Sequence, residues 1–203
     1  MIFVIPVFVL FLQENGLSLT QVMILQAYYT LLILLLEIPT GAFADMFGRK
    51  RAIFYSTIFM VFGIAFYGFG KSFGIFFIAE TMWAISSSLW SGTDSAFIYD
   101  TLKGLNRSED YKKVYGSFNA LNHILWGVAS LIGGIIAQYG LRLSYQLSLI
   151  PVIIAVFIVL TFKEPKIYKP VELTYWNHIK DALRLAVGKR KLKLIIIFSS
   201  IFY

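Results

Sequence analysis

Apolar residues fall in long blocks along this 203-residue chain, and polar residues fall in the short gaps between them. The blocks run roughly over residues 1–12, 19–42, 52–70, 73–102, 114–138, 143–162 and 192–203. A helix of about 20 apolar residues spans the roughly 30 Å of a bilayer's hydrocarbon core. Lipid leaves the backbone only helices or closed barrels, and no block has the character of a strand. The pattern therefore predicts an all-α membrane protein with five complete spans. The first and last blocks, about 18 Å each at 1.5 Å per residue, read as partial spans. Ser18 and Gln21 have capping-box spacing, which starts the second span near Leu19. The fourth span reads as one helix from Phe73 to Leu102.

Composition agrees. Hydrophobic residues make up 58% and charged residues 14%, against about 25% charged in soluble domains; the mean hydropathy is +0.73. There is no cysteine, so disulfides and thiolate metal ligands are excluded. Met1 opens directly into apolar sequence without a basic leader, so a cleaved signal peptide is not expected. The net charge of +7 could suggest nucleic acid, but its placement points elsewhere. Of 18 lysines and arginines, three lie in 43–51, four in 103–113 and nine in 163–193. The alternate turns carry only Lys71 and Arg142. This asymmetry puts the three basic segments in the cytoplasm and residues 13–20 outside.

The most specific stretch is Gly41-Ala42-Phe43-Ala44-Asp45-Met46-Phe47-Gly48-Arg49-Lys50-Arg51. It reads as a short basic turn between two spans. Gly41 and Gly48 allow a tight reversal and close helix approach. Asp45 and Arg49 are near enough to pair. Arg49, Lys50 and Arg51 anchor the loop at the membrane surface. A plain positive-inside anchor needs neither Asp45 nor glycines at this spacing.

This stretch resembles the loop between the second and third spans of the major facilitator superfamily. The segment from Ser91 to Asp100 is similar to the fourth span of a bacterial branch of drug and sugar efflux carriers. The resemblance implies a six-transmembrane-helix half-bundle, an amphipathic cytoplasmic linker helix and the start of a seventh helix. It also implies a latch: the basic loop, through Gly41, Asp45, Gly48, Arg49, Lys50 and Arg51, locks against Asp100 in the outward-open state. Many members have arginine after the aspartate, where this chain has Met46, so a weaker latch is expected. In proton-coupled exporters the fifth span carries a Gly-Pro pair, where this chain has Ala129-Ser130.

Other polar residues within the spans are candidates for a solute pathway. At 100° per residue, Glu80, Ser87, Ser91 and Asp94 share one face of a continuous fourth helix, with Asp100 nearly opposite. Asp94 then reads either as a proton- or solute-contacting group or as a structural hydrogen-bonding group. Asn119, Asn122, His123 and Trp126 form a stripe on the fifth span, and Gln26, Tyr29, Thr30 and Glu37 one on the second. Facing stripes of this kind describe a wet cavity for amphipathic solutes. Interhelical hydrogen bonding is the alternative for the asparagines and Tyr29, and bonding back to its own helix for Thr30. His123 is equally a neutral, hydrogen-bonded histidine. His123 and His178 are too far apart to suggest a metal site.

Residues 1–162 thus read as the bundle, 163–191 as the linker and 192–203 as the start of the seventh helix. Leu173, Trp176, Ile179, Leu183 and Val187 give the linker an apolar stripe among basic residues, as in a helix lying on a membrane. The expected function is secondary transport of a small solute by alternating access, as proton-coupled efflux across a bacterial plasma membrane. The chain would supply one half, with lipid, solute and protons as partners and a C-terminal half or a second copy as complement. The alternatives are a non-transporting membrane scaffold or a half-carrier that dimerises. No nucleophile–base set, phosphate loop or cofactor motif suggests an enzyme, and no nucleic-acid partner is expected.

Overall fold

Ser18 starts the first long helix by the predicted mechanism. Its backbone N–H donates to Gln21 Oε1 (2.9 Å), and its hydroxyl accepts from the Gln21 N–H (3.3 Å). In a computed structural model that describes residues 3–165, a 3-10 turn (Ile5–Val7) is followed by seven helices: α1 (Phe8–Glu14), α2 (Leu19–Phe47), α3 (Arg49–Phe69), α4 (Phe73–Trp90), α5 (Thr93–Gly104), α6 (Tyr111–Ala137) and α7 (Leu141–Thr161). The predicted linker helix and the start of the seventh span, including His178, lie outside the described residues.

The described chain is an all-α membrane half-bundle. Five helical stretches are long and apolar enough to cross a membrane, with α4 and α5 together making one of them. Pro39 and Pro151 sit inside α2 and α7 without ending them.

Two boundaries differ from the sequence reading. The turn predicted over 41–51 shrinks to a single residue. α2 continues through Ala42, Phe43 and Ala44 to Phe47, and only Gly48, at φ 111°, breaks it before α3 begins. Gly41 is therefore helical, with open space where a Cβ would stand, and does not shape the reversal. The fourth span is two helices rather than one. Ser91 and Gly92 interrupt it, with Gly92 left-handed at φ 71°. The break interrupts the 100° progression, so Asp94 opens α5 instead of continuing the face of Glu80 and Ser87.

α3 is the centre of the bundle. It packs on α4 along one side and α7 along another, while α2 packs on α4. Gly63 lies at the α3–α4 contact, where a Cβ would stand 3.4 Å from the Ala79 carbonyl oxygen and from Trp83 N, an ordinary packing distance. One core gathers Phe11, Leu12, Val22, Leu25, Tyr67, Phe76 and Tyr145 at the end away from the basic turn. A smaller one, Ala44, Ala52 and Leu89, lies beneath that turn. α6 packs on α5, α7 and the N-terminal turn. The Phe3 carbonyl occupies the place of a Cβ on Gly133.

Arg142 ties the far end together. It donates to the carbonyls of Gly70 (2.6 Å) and Gly68 (3.3 Å) and to Asn15 Oδ1, and it lies over the Phe11 ring. A cation on the last carbonyls of α3 suits the negative end of the helix dipole.

Candidate functional site

The last turn of α2 carries Asp45, Gly48 breaks the helix, and Arg49 opens α3. That single-residue reversal brings Arg49 Nη2 to 2.5 Å from Asp45 Oδ1. From α5, Asp100 Oδ2 lies 3.6 Å from Nε of the same guanidinium. The Arg49 and Asp100 side chains are mostly covered, at 18% and 21% exposure, while Asp45 is 42% exposed. The arms differ in length. At 2.5 Å the first is a close ion pair across the reversal. At 3.6 Å the second is a Coulombic contact too long for a hydrogen bond, and Arg49 Nε is buried without a hydrogen-bond partner. The arm that crosses between helices is thus the looser one.

A second brace lies beside it. Both carboxylate oxygens of Glu164, three residues past the end of α7, accept from the Lys50 backbone N–H (3.2 and 3.1 Å). The Lys50 ammonium donates to the Leu160 carbonyl in the last turn of α7 (2.9 Å). An acid thus caps the start of α3 and a cation caps the end of α7, each matching the dipole it meets. A Cβ on Gly48 would stand 2.7 Å from the Glu164 carboxylate. Gly48 is therefore required twice, by its φ and by the carboxylate seated against it. Phe162 stacks on Phe97 of α5 (5.4 Å), tying the segment after α7 to the helix that carries Asp100. A cavity of about 750 Å³ opens beside the turn, with Phe47, Lys50, Arg51, Tyr55 and Glu164 in its wall.

Glu164 escaped the sequence reading. Its only signal was its place in Lys163-Glu164-Pro165 after an apolar run, and the N–H it caps is 114 residues away. Lys50 was legible as a surface anchor and as part of the basic loop, but not as the cap of α7. Arg51, the third cation of the turn, is exposed.

The predicted pathway residues are spread over several surfaces. On α2, Gln26 is half-buried and Glu37 exposed. Tyr29 Oη bonds to Ser87 Oγ on α4 (3.0 Å). Thr30 bonds back to the Gln26 carbonyl (3.0 Å), the local alternative raised for it. On α6, Asn119 and Asn122 are half-buried, while His123 and Trp126 are exposed. Asp94 is half-buried in the first turn of α5, where a carboxylate suits the helix dipole. α2 meets α4 through Tyr28–Thr81, Tyr29–Ser87 and Thr40–Ser88, whereas α6 packs on α5, α7 and the N-terminal turn. Among the described residues, no three or more of His, Asp and Glu gather as metal ligands would.

Comparison with known proteins adds a family. The model of the Major Facilitator Superfamily matches residues 1–203. The chain is 26% identical over 203 residues to an uncharacterized MFS-type transporter, YxaM, of Bacillus subtilis (strain 168), covering 95% of this chain and 49% of that protein. It is 27% identical over 164 residues to Multidrug resistance protein 1 of the same organism, covering 80% of this chain and 41% of that protein. The chain spans about half the length of these curated relatives.

Proposed function

Because the chain belongs to the major facilitator superfamily, we propose that it forms one half of a secondary carrier that moves a small solute by alternating access. Residues 1–162 are the bundle, 163–191 the cytoplasmic linker and 192–203 the start of a seventh helix. The basic segments 43–51 and 103–113 face the cytoplasm of a bacterial plasma membrane, by the placement of their lysines and arginines. Carriers of this kind hold solute between two pseudo-symmetric halves. The exposed faces of α2 and α6, with Glu37, His123 and Trp126, border the pathway, joined by Gln26, Asp94 and Asn122. An exported amphipathic solute fits the multidrug name of one relative, and the driving force in this reading is a proton gradient.

The observation that carries this reading is the Arg49 guanidinium held between Asp45 of α2 and Asp100 of α5. A weak interhelical ion pair beside a tight local one is what a latch needs. The local pair keeps the cation in position while the other opens. Ethidium, an amphipathic cation, provides the test. Cells expressing the chain, alone and joined to the C-terminal half of a relative, are loaded with it and its loss is followed. The expected result is faster loss with the joined chain, abolished by Arg49→Ala. Equal loss with and without the chain in both forms would favour the scaffold reading.

A further inference from the structure

Away from the latch, α4 carries a carboxyl with no ionic partner. Glu80 is 3% exposed. Its Oε1 accepts one hydrogen bond, from Tyr67 Oη of α3 (2.6 Å). The ion pairs among the described residues join Arg49 to Asp45 and Asp100, and Arg107 to Asp110; none includes Glu80. The titratable groups facing it are Tyr29 from α2, Tyr67 from α3 and Tyr145 from α7. α1 covers the cluster with Phe11, whose ring lies 4.3 Å from that of Tyr145 and 6.3 Å from that of Tyr67.

We propose that Glu80, buried and hydrogen-bonded to Tyr67, is a proton-binding site set apart from the latch at the other end of the same span. The argument starts from the choice of residue. A carboxyl within a membrane span is expensive and marks a functional path more often than a structural one. For structure alone, glutamine would offer Tyr67 the same carbonyl acceptor without an ionisable group. What glutamate adds is the capacity to gain and lose a proton.

The surroundings can serve both forms. A carboxylate only accepts hydrogen bonds, whereas a carboxylic acid must also donate one. Tyr67 donates to one oxygen in either case. The Tyr145 hydroxyl is buried without a hydrogen-bond partner, so it has both a hydrogen to give and lone pairs to receive one. Its ring stacks on Tyr67 at 5.1 Å. Ser87, two turns along α4 from Glu80, is bonded to the half-buried Tyr29 hydroxyl on the α2 side. Glu80 lies eight residues from the Ser72 cap, about 12 Å into the span from that end. Its charge state acts on the contact of α4 with α3, while Asp100 acts at the opposite end. That this proton drives solute movement rests on the carrier reading; the proton site itself does not.

The test is an infrared titration of the purified 203-residue chain in lipid vesicles. The carboxylic acid carbonyl band is followed as pH is raised. The expected result is a band that disappears with rising pH in the wild-type chain, is missing from Glu80→Gln, and survives in Glu37→Gln and Asp94→Asn. Persistence of the band in Glu80→Gln, or no titrating band in the wild type, would overturn the proposal. Should Glu80→Gln lose its helices by circular dichroism, Tyr67→Phe decides, because it leaves the carboxyl in place. A moved midpoint supports the site and an unmoved one overturns it. A failed ethidium assay alongside an intact titration would count against the carrier reading alone.

Discussion

The two ends of the bundle each centre on one arginine, held in opposite ways. At the far end, Arg142 donates to the carbonyls of Gly68 and Gly70 and to the amide oxygen of Asn15, with no carboxylate among these partners. At the basic end, Arg49 meets two carboxylates, one at 2.5 Å and one at 3.6 Å. Backbone carbonyls keep their acceptor strength whatever the pH or neighbouring charge, so Arg142 is a fixed rivet joining α1, α3 and α7. An ion pair at 3.6 Å between two helices has no hydrogen bond to lose on separating. The difference fits the proposed carrier, with one end held on backbone acceptors and the other on ion pairs.

The largest effect is expected from breaking the rivet. Arg142→Ala removes a cation from several carbonyl acceptors and should destabilise the chain by about 2–4 kcal/mol. A thermal melt in detergent, followed by circular dichroism, would show it. Gly48→Ala comes next. It forces a Cβ into the Glu164 carboxylate at φ 111°, for a loss of about 1–3 kcal/mol. The same melt should show partial recovery in Gly48→Ala/Glu164→Ala, because only the collision is relieved and the φ is not. Glu164→Gln keeps the shape of the cap and removes its charge, so it should cost about 0.5–1 kcal/mol. That loss should shrink in high salt. Asp100→Asn should be smallest in stability, at about 1 kcal/mol or less, and below Asp45→Asn. An order reversed between the two aspartates would show that the interhelical arm, and not the local one, bears the load.

The spans were legible because lipid imposes one rule on every residue they contain. Ser18 and Gln21 were legible because a capping box is local. Asp45, Arg49 and Asp100 could be grouped through the family resemblance, which supplied the long-range contact that spacing cannot. The rest depended on tertiary placement. Glu164 caps a helix 114 residues away, and Tyr67 and Glu80 meet only because α3 and α4 pack at Gly63. The break at Ser91 and Gly92 did have a local signal, a serine–glycine pair, but the apolar run on either side outweighed it. Asp94 was consequently placed on a stripe that the structure ends before reaching it.

α3 and α6 differ in the same instructive way. The most apolar window of α3 is 44% buried, while those of α2 and α6 are each 11% buried. Gly127 and Gly134 on α6 have open space where a Cβ would be. Of the predicted pathway residues, Glu37, His123 and Trp126 lie exposed on α2 and α6, while Gln26, Tyr29, Asp94, Asn119 and Asn122 are half-buried.

The latch itself is tested most directly by measuring distance across it. The chain has no cysteine, so Arg51→Cys and Lys103→Cys, both at exposed positions, provide the only labelling sites. Spin labels there report the separation of α3 from α5 by electron–electron resonance in vesicles. The account predicts one short distance in the otherwise wild-type chain and a second, longer population on adding Asp100→Asn or Arg49→Gln. A distribution unchanged by either substitution would contradict it.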